Sequence, residues 1–250
     1  MITIAKSDAF FYLGAGMEAF AETAAETLAN QDVKLLEIGE DKSIFLKDEH
    51  GEKEHEEEHN HDTDQATEHE EHEHHHGDYD PHIWLDPLRL IDVSEIVKEE
   101  LIALNPDAES MYEENFAGLK EDLTALDEAY KNVLDKKENK HILVSHAAYG
   151  YWEDRYGIEQ MSINGLSSSN KPSQKELTNI INQTKEYNLK YILFEQNISN
   201  RVSEIIQDEV GAEAAVIHNL EVLTEEDIEQ NENYLSLMEH NLEVLDKITE

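Results

Sequence analysis

The chain has 250 residues, 39% hydrophobic and 7% aromatic, which is enough for one large domain or two small lobes with a real core. Its 58 acids against 19 bases give a formal net charge of −39; this excludes a nucleic-acid partner, which needs a basic footprint, and argues against direct attraction to an anionic membrane surface. With no cysteine, disulfides and thiolate sites are excluded, so any transition-metal site must use histidine nitrogen and carboxylate oxygen.

Met1-Ile2-Thr3-Ile4 has no basic segment followed by a long apolar core, so no signal peptide is read there and the start taken at face value points to the cytoplasm. No stretch approaches the roughly 20 apolar residues of a membrane span. Residues 9–13 form a short apolar run closed by Gly14-Ala15-Gly16, which reads as a buried strand and turn. Residues 17–30 are rich in Ala and Glu and predict a helix; 33–38 predict a second strand. Strand, helix and strand at this spacing predict a βαβ unit and a parallel sheet. The lone Gly14-Ala15-Gly16 lacks the third glycine of a dinucleotide loop, and a plain turn is the better reading.

Residues 48–80 are low in complexity. They carry fifteen acids and one base, and nine of the chain's 14 histidines: His50, His55, His59, His61, His69, His72, His74, His75 and His76. Such a segment buries too little apolar area to offset its ordering entropy, so disorder is expected. Imidazoles mixed with carboxylates make many weak, exchangeable sites for borderline divalent metals, which makes this a metal-gathering loop; an incidental solvated run is the bland alternative.

Residues 88–104 predict a helix, broken by Asn105-Pro106-Asp107. A long helix then runs to about 137, with Tyr112, Phe116, Leu119, Leu123, Leu126, Tyr130 and Val133 in one continuous stripe. Over 30 residues would span roughly 45 Å, long enough to join two lobes. Strands follow at 141–145, 160–163, 191–194 and 214–217. Helices alternate with them at 174–187 (with Ser173 as N-cap), 199–210 and 233–248. The second half is therefore another parallel α/β unit.

Ligands of open parallel sheets bind beyond the carboxyl ends of the strands. His146 and Glu221 stand at such positions, and His82 sits at the joint between two Asp-Pro turns. Singly each has an ordinary structural reading: a hydrogen-bonded core histidine, or a solvated surface acid. Their combination with the histidine-rich segment points to a metal centre.

Several motifs, in order, carry a resemblance. They are Asp8-Ala9-Phe10-Phe11-Tyr12-Leu13-Gly14-Ala15-Gly16-Met17-Glu18, Asp80-Pro81-His82-Ile83-Trp84-Leu85-Asp86-Pro87, Val144-Ser145-His146-Ala147-Ala148-Tyr149-Gly150-Tyr151, Gly165-Leu166-Ser167, Phe194-Glu195, and Asn219-Leu220-Glu221 with Tyr234-Leu235-Ser236-Leu237-Met238. Together they resemble the zinc-binding solute-binding proteins of metal ABC importers, the zinc/manganese-type cluster A-I family. The resemblance implies an α/β fold of two lobes with parallel sheets joined by one long rigid helix: a lobe over 1–104, a linking helix over 105–137 and a lobe over 138–250. It implies Zn(2+) held by His82, His146 and Glu221, with Glu195 in a supporting role. Manganese-type relatives carry glutamate where this chain has His146, and imidazole suits zinc better than the harder manganese ion. It further implies an extracytoplasmic, membrane-associated monomer that hands zinc to a membrane permease. The family has another histidine upstream of the strand at Ala9, and the chain starts at about that strand, so a truncated reading of a longer gene is expected. Three protein ligands then remain, and water could fill a fourth position. Two other classes stand beside this one. In one, a zinc buffer or adhesion protein acts through the histidine-rich loop. In the other, a zinc hydrolase uses the open position, although no HExxH or GxSxG motif supports it.

Overall fold

The computed structural model describes residues 2–14, 16–47, 79–164, 173–196 and 201–250. They divide into two compact units, Met1–Pro81 and His82–Glu250. The histidine-rich segment up to residue 78 and the Gly165-Leu166-Ser167 motif lie outside the described residues.

In the first unit, β1 (Ala9–Tyr12) pairs with β2 (Lys34–Glu37) in parallel, with Phe10 opposite Leu35 and Phe11 opposite Leu36. Between them runs α1 (Ala19–Leu28), which buries Ala21, Ala24, Ala25 and Leu28, one face at the helical period. This is the expected strand, helix and parallel strand. The glycine turn after β1 has φ of +73° at Gly14 and +78° at Gly16, a region open to glycine at no steric cost. The Glu18 carboxylate accepts from the Leu13 and Gly14 amides at 2.8 and 3.0 Å, so amides that a phosphate would seek are already occupied. A two-residue antiparallel pair, β3 (Leu46–Lys47) with β4 (Tyr79–Asp80), was not foreseen; runs this short carry no periodicity to read.

In the second unit, β5 (His141–His146), β6 (Glu159–Asn164), β7 (Tyr191–Glu195) and β8 (Glu213–Ile217) form one parallel sheet in the order β6-β5-β7-β8. Apolar runs such as Ile142-Leu143-Val144 fit strands covered on both faces. Alternate residues point to opposite cores. Ile142, Val144, Leu193 and Ile217 join Leu126, Tyr130 and Leu134 of α3 (Glu109–Leu134), Trp152 of α4 (Gly150–Tyr156), and Met238 and Leu245 of a later helix (Tyr234–Ile248). Leu143, Ile163 and Ile192 pack instead with Ile180 of α5 (Gln174–Glu186) and Ile206 of α6 (Arg201–Val210). Two short-range devices fix helix starts. Ser173 and Glu176 form a capping box at α5. Asn233 caps the last helix, α8, after the six-residue α7 (Glu225–Gln230).

The division of the chain differs from the expected boundaries. The units meet at Pro81/His82 rather than at residue 104, and the long helix belongs to the second unit. It packs along α2 (Pro87–Leu104), to which a single 3-10 turn (Pro106–Ala108) connects it, and against α8. Its apolar stripe is accordingly uneven. Leu126, Tyr130 and Leu134 join the sheet core and Leu123 is buried, whereas Leu119, one turn before Leu123, is 37% exposed.

Successive strands leave β5 first to one side, to β6, and then across to the other, to β7. That reversal opens a crevice at the carboxyl ends of β5 and β7, where ligands of such sheets bind. His146 is the last residue of β5 and Glu195 the last of β7.

Candidate metal centre

His82 is delivered by a short segment that is tied down at every turn. Asp86 caps α2, its Oδ1 accepting from the Leu88 and Arg89 amides at 2.9 and 3.2 Å, with Pro87 at the first helical position. Arg155 of α4 grips the same carboxylate through two bonds of 2.6 and 2.7 Å. The Trp152 indole donates to the Leu85 carbonyl, the Tyr234 hydroxyl to the Trp84 carbonyl, and the Trp84 indole to the Asn219 carbonyl, each at 2.8 Å. His82 therefore sits on a loop bonded to α4, to α8 and to the segment after β8.

His146 is oriented from behind. Its Nδ1 donates to the buried Glu195 carboxylate, which also accepts from Ser145 Oγ at 3.3 Å and from Asn219 Nδ2 at 2.7 Å. With the proton on Nδ1, the Nε2 of a neutral ring carries a lone pair. It faces His82 Nε2 at 3.4 Å. Two nitrogens each about 2.0–2.1 Å from a tetrahedral zinc ion stand roughly 3.3–3.4 Å apart, so the imidazoles already have the spacing of one edge of a zinc tetrahedron. Glu221 Oε1 lies 4.0 Å from His82 Nε2, and one donor atom from each of His82, His146 and Glu221 falls within 4.8 Å of the others. Both histidines are buried; Glu221 is the exposed member. Two imidazoles and one carboxylate form a donor set suited to zinc, three of the four ligands that a tetrahedral site takes.

The family profile described as "ZnuA: Zinc-uptake complex component A periplasmic" matches residues 1–248. This chain belongs to the ZnuA family. Among curated relatives, the zinc-binding lipoprotein AdcA of Streptococcus pneumoniae serotype 4 is 36% identical over 247 residues, covering 99% of this chain and 47% of the relative. The chain thus spans about half the length of the curated relatives it matches. Among solved structures, the Zn(II)-bound ZnuA-like domain of S. pneumoniae AdcA superposes with a TM-score of 0.74 at 32% identity, over 99% of this chain and 82% of that one. The laminin-binding protein Lmb of Streptococcus agalactiae, described as a bifunctional protein with adhesin and metal transporting activity, gives 0.79 at 25% identity over 99% and 82%. The mixed α/β fold with a parallel sheet is therefore that of ZnuA-like solute-binding proteins.

Within this ZnuA-family chain the structure brings His82, His146 and Glu221 together and sets Glu195 directly behind His146. The nine histidines at 50, 55, 59, 61, 69, 72, 74, 75 and 76 lie outside the described residues. Sequence reasoning did not find Asn219 or Tyr149. Asn219 bridges Glu195 to the loop carrying Glu221, whose amide its Oδ1 accepts at 3.1 Å. The Tyr149 hydroxyl is fully buried and has no hydrogen-bond partner among the described residues. Burial, then the nearby Glu195 and Glu221 carboxylates, push its phenol well above the ordinary tyrosine range, so it remains a proton donor beside the site. Its place three residues after His146, at the start of α4, was the signal available in the sequence.

Proposed function

We propose that this chain is the zinc-capturing part of an extracytoplasmic, membrane-associated receptor that delivers Zn(2+) to the permease of an ABC importer. Zinc is cargo in this reading: the protein binds and releases it without a chemical step, and acts as a monomer. The observation that carries it is the pair of imidazole Nε2 atoms at zinc-edge spacing, closed by Glu221. The zinc-binding names of the relatives, the zinc-uptake family and its periplasmic description support it. His82 and His146 grip the ion, Glu221 closes the site on the solvent side, and Glu195 holds the His146 ring with Nε2 toward the ion. The loop at 48–80 gathers zinc at low affinity.

Calorimetric zinc titration of the chain and of a version lacking 50–76 tests this. One tight site survives the deletion, and only weak sites disappear with the loop. Loss of all binding with the loop would favour a buffer, or an adhesion protein of the kind that the name of Lmb describes. Glu195→Gln removes the carboxylate charge behind His146 while keeping an acceptor of similar shape. Zinc affinity then falls about 10–100-fold, the usual cost of losing such a partner, in the same titration; an unchanged affinity would remove Glu195 from the account.

A further inference from the structure

Only three non-glycine residues among those described have positive φ: Asn188, Asn231 and Leu220, the last at +61°. Asparagine takes that conformation readily; leucine does not. A leucine held there is a local strain that the surroundings must maintain, and such outliers gather at functional positions. Leu220 is the residue immediately before Glu221.

What holds Leu220 is the ring of His218. Its Nδ1 accepts the Leu220 N–H at 2.9 Å. A nitrogen that accepts carries no proton, so the neutral ring has its hydrogen on Nε2, which faces Asp227 Oδ2 at 3.2 Å. Asp227 is itself fixed in the capping box of α7, with Oδ2 accepting from the Thr224 amide at 2.6 Å. The Thr224 bonds, with a smaller contribution from His218, keep its carboxyl below the usual range, hence ionised. The backbone of His218 is clamped on both sides by Asn241 of α8, which accepts from its N–H and donates to its C=O, each at 2.8 Å. The ring is buried with 6% of its side chain exposed.

We infer that His218, oriented by Asp227 and Asn241, is a positioning residue: it latches the Leu220 amide and so aims Glu221 into the metal centre. The inference rests on the three-ligand reading above. Glu221 is the exposed ligand, the one through which an ion must leave. The latch therefore governs how long zinc is retained, while the buried histidines govern whether it is captured.

Zinc dissociation measured by stopped flow against a chromophoric chelator tests this on the full chain with one equivalent of zinc. Glu221→Ala speeds dissociation. His218→Ala speeds it about tenfold, in the range typical of lost outer partners, with little change in the association rate. His218→Asn places an amide oxygen near the position of Nδ1 and keeps dissociation close to the parent; His218→Gln puts its acceptor near Nε2 and behaves like alanine. This pair carries the test should the alanine variant fail to fold. In the Glu221→Ala background His218→Ala adds nothing, because the ligand it aims is gone. Parent-like dissociation in folded His218→Ala or His218→Gln, or the same acceleration without Glu221, overturns the latch alone. Parent-like dissociation in Glu221→Ala overturns the three-ligand reading and the latch with it.

Discussion

His146→Ala lowers zinc affinity by more than about 100-fold, beyond the 10–100-fold that an outer partner such as Glu195 contributes. The ring shares one edge of the zinc tetrahedron with His82, and β5 brings its Nε2 to the crevice. The fold should survive. Removing the ring leaves Glu195 buried but still accepting from Ser145 and Asn219, so its charge keeps two of its three donors. Competition with a chelator of known affinity measures the loss, and far-ultraviolet circular dichroism checks the fold. An affinity within tenfold of the parent would mean that zinc is held elsewhere.

Arg155→Met has the largest effect on stability. Asp86 is completely buried, and the Arg155 side chain that neutralises it is only 19% exposed. Breaking a buried pair from one side leaves an uncompensated charge, which costs 3–5 kcal/mol in well-buried cases. Arg89 Nε at 3.3 Å and two helix amides still serve the carboxylate, so a loss of about 3 kcal/mol is expected. Urea unfolding measures it as a lower midpoint at unchanged slope. A loss below about 1 kcal/mol would class the pair with exposed ion pairs. The same substitution leaves the His82 segment tied to α4 through Trp152 but no longer through Arg155, so zinc affinity falls too, by less than for His146→Ala.

The residues that the sequence made legible are those whose signal is local. The β1–α1–β2 unit follows from two apolar runs about an Ala-rich helix, and the parallel sheet from the regular alternation of strands with helices. The start of α5 follows from Ser173, whereas the cap that Asn233 makes at α8 came from the structure. His146 was legible because it ends a strand, where open sheets place their ligands. His82 and Glu221 became candidates by the strand-end and turn logic together with the family motifs, and the structure sets them within reach of His146. What was not legible depends on contacts distant in sequence. Nothing in a periodicity tells that the Trp84 indole reaches Asn219, 135 residues on, that Asn219 bonds Glu195, or that Leu220 is left-handed. The boundary at Pro81/His82 escaped for a similar reason. The helical pattern of residues 88–104 says that they form a helix; it does not say that they pack along α3.

The central claim is that one zinc ion sits among His82, His146 and Glu221. Diffraction from zinc-loaded crystals at the zinc absorption edge tests it most directly. The account predicts a strong anomalous peak roughly 2.0–2.2 Å from Nε2 of both histidines and from a Glu221 carboxylate oxygen. Anomalous peaks at other positions, with none between His82 and His146, would contradict it.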